Sequence, residues 1–298
     1  MSGGQPIEIN FPTLYHVADN ASRRAQRYHF GGMGADLLLI LLASILGSIA
    51  FATSSGKIAF AWGSAILAAG GLIITILLRT KTFEQDWFDG RVIAESVKTR
   101  SWRFITKSEP YETAGLQTEE KFIDDIGIVG NERKEFLGKI GSELTNQIII
   151  TEPMKSVRLL SFSGRKKLYL EDRIANQGKW YSLNSGKNKR IGNLWFAAIL
   201  VSQGLLLICC FAMIQWPEMP VNLIGMFSAL SAALVAWNQM KRYQDLSHSY
   251  GLAASELMLI AAHGINISDE SQFSQFVLDS ENAISREHSL WKARRDKV

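Results

Sequence analysis

The fold is decided by two adjacent uncharged stretches, LLLILLASILGSIAFATSSG at residues 37–56 and IAFAWGSAILAAGGLIITILL at residues 58–78, with only Lys57 between them. Two further uncharged stretches follow at residues 191–217 and 219–240. Each stretch reaches the roughly 20 residues that an α-helix needs to cross a hydrocarbon layer about 30 Å thick. We therefore predict an all-α membrane protein with two transmembrane helical hairpins, whose four spans lie at about 36–56, 58–78, 193–215 and 220–240.

The overall composition of the 298-residue chain hides this pattern, because its mean hydropathy of +0.04 is close to that of a soluble protein. Apolar and charged residues are segregated along the chain instead of mixed. We do not expect the first span to be a cleavable signal sequence, since it starts late, is long, and is followed at once by a second span. The two cysteines, Cys209 and Cys210, are neighbours in the third span, so no disulfide framework is expected.

Lysine and arginine residues flank both hairpins on one side of the predicted membrane. They stand before the first span, after the second, before the third and after the fourth: Arg23, Arg24, Arg27, Arg79, Lys81, Lys187, Lys189, Arg190, Lys241 and Arg242. The tip of one hairpin carries only Lys57, and the tip of the other carries Glu218. Because cation-rich loops stay on the cytoplasmic side, we expect both termini and the long central segment in the cytoplasm.

The chain contains an internal repeat. A shift of 161 residues lays the first hairpin on the second, and Gly90 on Gly251. We predict a first two-span unit at residues 1–112, a cytoplasmic helical connector at 113–160 and a second two-span unit at 161–298. Each two-span unit is expected to consist of an amphipathic helix, a hairpin and a second amphipathic helix.

Long amphipathic helices are predicted outside the spans. One begins near Phe83, continues the second span into the cytoplasm, and ends at Pro110, which lacks a backbone donor. Trp87, Gly90 and Ala94 lie on one seam of this helix, where the two small residues allow another helix to approach closely. Further helices are predicted over residues 118–146, 165–186 and 271–295, whereas residues 148–152 are β-prone.

The sequence contains no catalytic constellation. The five histidines lack metal-ligand spacing to cysteines or acids, so we predict no metal site, no cofactor and no enzymatic activity. We expect the spans to contain no ionisable residue, which argues against an ion-coupled transporter but not against a pore lined by polar side chains. Hydroxyl groups in spans also bond their own helix or pack against neighbouring helices. The candidate pore-facing residues are Gln203, Asn222, Ser228, Ser231 and Asn238.

Cations and aromatic residues occur together at two places outside the spans. Cations bind phosphates, and a flat ring can stack on a base, so this combination suits a nucleotide or an oligonucleotide. The alternative is that these basic segments meet anionic lipid head groups or simply set the topology. The candidate ligand-binding residues are Lys98, Arg100, Trp102, Arg103 and Lys107 at the first place, and Arg165, Lys166, Lys167 and Tyr169 at the second.

Two sets of residues resemble the SLATT families of bacterial two-span domains. The first set is Tyr15, Ala18, Asp19, Ser22 and Gln26, then WFDGRVIAESVKT at residues 87–99, SWR at 101–103 and EPY at 109–111. The second set resembles a sister SLATT family: Tyr169, Asp172, Arg173, Ile174, Gln177, Trp180, Tyr181, Asn188 and Lys189. The resemblance covers nearly the whole chain. It implies a membrane effector of bacterial antiviral systems, associated with nucleotidyltransferases and with nucleotide-sensing SLOG proteins.

Three classes of function follow from these features. The first is a homo-oligomeric pore of the bacterial inner membrane, for which the resemblance favours a tetramer. A nucleotide or oligonucleotide signal from a cognate nucleotidyltransferase would gate this pore, and the resulting depolarisation would cause growth arrest or cell death. The second class is a non-conducting membrane anchor or scaffold that recruits a cytoplasmic partner. The third, an intramembrane enzyme, lacks any plausible nucleophile, base or metal site.

Overall fold

A computed structural model describes residues 9–52, 56–217 and 222–295 of the chain. Every regular element among these residues is helical, so the predicted all-α class is confirmed for them. Short 3₁₀ and π segments lie at Gly141–Leu144 and Tyr169–Ala175. The α-helices are α1 (Thr13–Ala52), α2 (Lys57–Thr80), α3 (Phe83–Ile105), α4 (Leu116–Asn131), α5 (Lys134–Ile140), α6 (Glu152–Arg158), α7 (Phe162–Leu168), α8 (Asn176–Gln215), α9 (Leu223–Lys241), α10 (Tyr243–Ile265) and α11 (Glu270–Arg295).

Four helical runs are long and apolar enough to cross a membrane. They are Thr13–Ala50, Lys57–Ile105, Phe162–Gln215 and Leu223–Ile265, and each overlaps one predicted span. Large apolar side chains on these helices stay exposed within the chain, for example Ile66 at 67% and Phe211 at 61%. Such surfaces suit contact with lipid, because in water they would cost free energy in proportion to their area. The chain is therefore a multi-pass membrane protein.

The internal repeat is visible in the helices. The helices α1 and α8 both have 40 residues, and α3 and α10 both have 23 residues. In each half, one residue with positive φ separates the second span from the helix that follows: Thr82 (φ 49°) between α2 and α3, and Arg242 (φ 49°) between α9 and α10. The predicted start of the helix near Phe83 is confirmed, whereas its α-helical connection to the second span is interrupted at Lys81 and Thr82, since a left-handed residue cannot extend an α-helix.

The described residues fall into two compact units. The first, which we call unit 1, takes its residues from Met1–Ala25, Glu84–Ser182 and Tyr250–Val298. A hydrophobic core contributed by α1, α3, α4, α10, α11 and the helices between residues 134 and 182 fills it. Three fully buried side chains, Phe104, Phe122 and Phe273, are among the largest in this core. Burying a side chain of this kind stabilises the fold by about 1.5–3 kcal/mol.

The second unit, which we call unit 2, comprises the described residues of Gln26–Phe83 and Leu183–Ser249. Its helices pack through small residues. A Cβ atom added at Gly63 or Gly70 of α2 would lie 3.1 Å or 3.4 Å from a leucine side chain of α1, and one at Gly34 of α1 would lie 3.0 Å from the ring of Trp237 in α9. Small residues at such positions let membrane helices approach closely, which strengthens the van der Waals packing between helices in lipid.

Several helix ends differ from the sequence-based expectations. The helix α3 ends at Ile105 and not at Pro110, because Lys107 adopts φ 57° and closes a Schellman motif. In this motif the amides of Ser108 and Lys107 donate to the carbonyls of Arg103 (2.9 Å) and Phe104 (3.2 Å). The predicted helix over 118–146 is broken after Asn131. The helical segment over 165–186 leads into the third span as expected, and residues 148–152, which are β-prone but too isolated for a sheet, form no strand.

Candidate ligand and membrane sites

Four of the nine candidate ligand residues keep cationic groups without a hydrogen bond or ion pair to any described residue: Lys98, Arg100, Lys107 and Lys167. Arg100 and Arg103 are three residues apart on α3 and are neighbours on its surface, and Lys107 follows the end of this helix with a left-handed backbone. Lys98 lies elsewhere on the helix, where burial and then the charge of Arg173 lower its pKa. Arg100 and Lys107 are partly exposed, and Lys167 is exposed.

Three other candidate cations cap the ends of helices or bond a loop. Arg165 is buried and donates to the carbonyl oxygens of Thr106 (3.3 Å) and Leu160 (2.5 Å), and it pairs with Glu270. Lys166 donates to the carbonyls of Ile265 and Ile267, just where α10 ends. Arg103 donates to the carbonyl of Glu109 at 2.6 Å. The contacts to Thr106 and Ile265 satisfy carbonyls that a helix terminus leaves without an intrahelical donor, and the other contacts bond carbonyls of loops.

A fourth cation, Arg158, serves the same purpose and was not singled out from the sequence. Its guanidinium donates to the carbonyls of Phe104, Tyr111 (2.7 Å) and Thr113 (2.6 Å), and it lies 4.6 Å from the centre of the Phe104 ring. Burial, together with the like charge of Arg165, lowers the pKa of Arg158 to about 10. Arg158 has no carboxylate partner among the described residues.

The end of α3 therefore carries an excess of positive charge. Lys107 lies close enough to Arg165 and Arg158 that burial first, and then these two cations, lower its pKa. The only ion pair formed by these three side chains, among the residues that the structure describes, is that of Arg165 with Glu270. A phosphate oxygen placed beside Lys107 would reduce this repulsion, so the geometry suits an anionic ligand.

The two aromatic candidates lie in the core of unit 1. Trp102 is 2% exposed and packs edge-on against Tyr169, with 5.6 Å between ring centroids. Tyr169 is fully buried, and its hydroxyl donates to the carboxylate of Glu281 at 3.0 Å. Neither ring offers a free face for stacking in this conformation. The prediction that all nine residues contact a ligand stays a prediction, but the rings and the capping cations have structural roles here.

Glu281 is the centre of a buried ionic cluster that sequence reasoning missed. Its two carboxylate oxygens accept from Arg173 at 2.8 and 2.7 Å, and Thr99 donates to one of them at 2.9 Å. Burial favours a lower pKa for Arg173, but the charge and hydrogen bonds of Glu281 outweigh it and raise the pKa above its ordinary value. One signal was present in the sequence, since Glu281 occupies an apolar stripe of α11 with Phe273, Val277 and Ile284.

The packing seam on α3 is closed within unit 1. A Cβ atom at Gly90 would lie 2.9 Å from the carbonyl oxygen of Ala18 in α1, and Ala94 is 1% exposed. Trp87 is partly buried, and its carbonyl accepts from the hydroxyl of Ser22 at 2.8 Å. The small residues thus let α1 and α3 touch along their backbones.

The five candidate pore residues have different surroundings in unit 2. Gln203 and Ser228 are exposed, and Asn222 caps α9 by accepting from the amide of Gly225 at 2.9 Å. Ser231 is buried and bonds the hydroxyl of Ser202 in α8 at 2.9 Å, so it joins two spans. Asn238 is partly buried. That all five face a pore stays a prediction.

One ionisable residue of the membrane-spanning region was overlooked. Asp36 lies in α1, one residue before the uncharged stretch that begins at Leu37. Its oxygen Oδ1 is buried and has no hydrogen-bond partner. A Cβ atom added at Gly71 of α2 would lie 3.0 Å from this oxygen. The inference that the spans contain no ionisable residue is therefore wrong at this position. Since Gly71 is nine residues before Thr80, the end of α2, the carboxylate lies well inside the hairpin.

Two family models match the chain. Residues 12–166 match SMODS and SLOG-associating 2TM effector domain 3. Residues 169–291 match SMODS and SLOG-associating 2TM effector domain 1. The first match alone covers more than half of the chain. The chain belongs to the SLATT family.

Each SLATT domain contains one membrane hairpin, α1–α2 in the first and α8–α9 in the second. The resemblance drawn from the motifs is confirmed, and this SLATT protein is an effector associated with SMODS and SLOG systems of defence. The first domain includes the segment predicted as a connector at 113–160, whose separate status stays a prediction. No curated protein and no solved structure matches the chain.

Proposed function

We propose that this SLATT protein is a ligand-gated, homo-oligomeric pore of the bacterial inner membrane, with both termini in the cytoplasm and no enzymatic activity. The observation that carries the proposal is the division of one chain into a membrane part and a part that holds available cations. Unit 2 contains the uncharged spans, and unit 1 contains Arg100 and Lys107. The helices α1 and α8 each contribute residues to both units, so a change in unit 1 has a helical route to the spans.

The ligand class follows from charge and from the family. Lys107 lies close to the buried cations Arg158 and Arg165. Arg100 lies close to Tyr111, whose carbonyl accepts from Arg158. This concentration of positive charge favours a ligand with several phosphates over a neutral one. SMODS- and SLOG-associated effectors are expected to respond to nucleotide-derived signals, so a nucleotide or an oligonucleotide made by a cognate nucleotidyltransferase is the ligand we propose. Each phosphate contact to a single strand would contribute about −0.7 to the log–log slope of affinity against salt.

Four spans are few for an aqueous pathway in one chain. A closed ring of identical subunits places one shared pathway on the symmetry axis, and a tetramer is the count we propose. An exposed apolar face on α10 supports contact between copies. It comprises Leu252 (60% exposed), Met258 (67%), Leu259 (59%) and Ile265 (69%), in which Leu252 and Leu259, and Met258 and Ile265, are one heptad apart.

The same face favours the alternative function, in which the protein is a non-conducting anchor and α10 recruits a different cytoplasmic protein. Exposed apolar surface outside the spans marks a contact with some partner, whether a copy or another chain. Conduction separates the two functions, because an anchor leaves the membrane potential unchanged.

The test is the membrane potential of cells that express the protein with and without the cognate nucleotidyltransferase. We expect depolarisation only with both genes, and we expect the double variant Arg100→Ala/Lys107→Gly to abolish it. Glycine suits the positive φ at position 107, so this change removes the charge without straining the turn. The matched control is Lys121→Ala/Lys134→Ala, which removes two exposed cations of unit 1 on α4 and α5.

A steady potential in cells that contain both proteins at normal levels would contradict the pore and favour the anchor. Depolarisation that survives in Arg100→Ala/Lys107→Gly would leave the pore intact and place the ligand elsewhere.

A further inference from the structure

A carboxylate lies deep in the membrane-spanning part of unit 2. Asp36 follows Arg27 by nine residues on α1, and its neighbour Gly71 precedes Arg79 by eight residues on α2. At 1.5 Å per helical residue, both helices put the carboxylate about 12–13 Å from the nearest flanking arginine. Asp36 itself borders the uncharged stretch of α1, but Gly71 lies seven residues inside the uncharged stretch of α2, so the carboxylate lies about 10 Å inside a hydrocarbon layer about 30 Å thick.

The packing around Asp36 leaves its charge uncompensated. A Cβ atom at Gly71 would lie 3.0 Å from Oδ1 of Asp36 and 3.7 Å from Cγ1 of Ile40, and Gly71 is a buried residue of α2. Oδ1 is buried without a hydrogen-bond donor. Among residues 9–52, 56–217 and 222–295, no cation forms an ion pair with Asp36, and the side chain as a whole is only partly buried.

A carboxylate at this depth is costly in lipid. Ionisable groups in spans are therefore found paired with one another, facing the interior of a bundle, or facing water. No described residue of the chain donates a hydrogen bond to Oδ1 of Asp36. The residue of α2 that packs against this oxygen is Gly71, which has no side-chain donor. The exposed part of the side chain thus needs water or a mobile cation in the working assembly.

We infer that Asp36 faces the water-filled pathway of the pore and makes that pathway select cations over anions. This inference rests on the proposed pore function and adds the ion selectivity of that pore. In a symmetric ring the carboxylate recurs once per subunit, and a ring of acidic side chains raises the local concentration of cations and excludes anions. Gly71 leaves the room that the carboxylate needs at this level of the hairpin.

The test is the reversal potential across a potassium chloride gradient, measured on purified protein in a bilayer with the product of the cognate nucleotidyltransferase present. We expect the parent to prefer K⁺ to Cl⁻, and Asp36→Asn to lower this preference several-fold while conduction persists. Asp36→Glu should retain the preference because it retains the charge. The matched control is Asp124→Asn, which removes an exposed carboxylate of α4 in unit 1.

A second measurement covers the case in which Asp36→Asn fails to assemble. Asp36→Cys, in a background with Cys209→Ala and Cys210→Ala, should react with a water-soluble, negatively charged thiol reagent, and the reaction should restore cation preference. An unchanged preference in conducting Asp36→Asn, or an assembled Asp36→Cys protein whose introduced thiol is not labelled, would overturn the inference and leave the pore standing. A parent that binds the product and does not conduct would contradict the proposed function and this inference with it.

Discussion

Arg173 and Glu281 form the most deeply buried ion pair among the described residues, with side chains 1% and 0% exposed. Arg173 comes from the π segment that joins α7 to α8, and Glu281 comes from α11, so the pair joins distant parts of unit 1. Tyr169 and Thr99 donate to the same carboxylate. A buried pair of this kind contributes little net stability, but removing one partner leaves an unpaired charge in the core.

We predict that Glu281→Gln lowers the free energy of unfolding by about 3–5 kcal/mol, because a guanidinium stays charged in proteins and the buried Arg173 loses its carboxylate. The double variant Arg173→Met/Glu281→Leu should recover much of this loss, since it removes both charges. The measurement is thermal unfolding of the detergent-solubilised protein, followed by helical circular dichroism.

The matched control at this scale is Glu152→Gln, which removes the carboxylate from an exposed pair with Lys155. Exposed pairs contribute about 0–1 kcal/mol, so little change is expected there. Equal melting temperatures for Glu281→Gln and the parent would mean that the cluster is not buried as the structure describes.

The roles of single cations could not be predicted from the sequence. Arg165, Lys166 and Lys167 are consecutive and look alike, but only the fold decides that Arg165 reaches Thr106, that Lys166 reaches Ile265, and that Lys167 stays exposed. These contacts join residues far apart in the chain, and no local pattern contains that information. The surroundings of each cation therefore come from the fold alone, and the ligand role of these residues stays a prediction.

At the scale of the elements, the spans could be predicted because lipid demands an apolar side chain at nearly every position. The helix ends could not. The end of α3 at Ile105 depends on the positive φ of Lys107, a residue with a side chain, which the sequence does not mark in the way that glycine would. Asp36 was missed for a related reason, because the depth of a residue next to an uncharged stretch depends on its neighbours on α2.

We predict that copies of the chain contact one another through the exposed apolar face of α10. Leu252→Asp/Leu259→Asp should lower the subunit number of the purified protein, because two charges would have to be buried at the interface. The measurement is the mass of the assembly in mild detergent. The matched control is Leu116→Asp/Leu159→Asp, which changes two leucines of unit 1 that are 78% and 83% exposed and lie outside α10.

A monomeric parent under the same conditions would contradict the ring. An assembly of unchanged mass in the α10 variant would mean that copies meet through another surface and would leave the α10 face to a different partner.

At the scale of the whole molecule, the sequence was sufficient for the four spans and for the family, because both depend on patterns within continuous segments. The division into units was not predictable in the same way. Unit 1 takes residues from three separate segments of the chain, and its core combines α1, α3 and α11. The sequence-based division into consecutive segments assigns α1 and α3 to the first two-span unit and α11 to the second. The two SLATT domains therefore share one core instead of folding around one core each.

The central claim is that the protein conducts ions when it binds a nucleotide-derived signal. The most direct measurement is potassium efflux from liposomes that contain the purified protein, with and without the product of the cognate nucleotidyltransferase synthesised in vitro. We predict efflux only with the product, and efflux lost in Arg100→Ala/Lys107→Gly but kept in Lys121→Ala/Lys134→Ala. Efflux at the level of protein-free liposomes, from assembled protein that has bound the product, would contradict the claim.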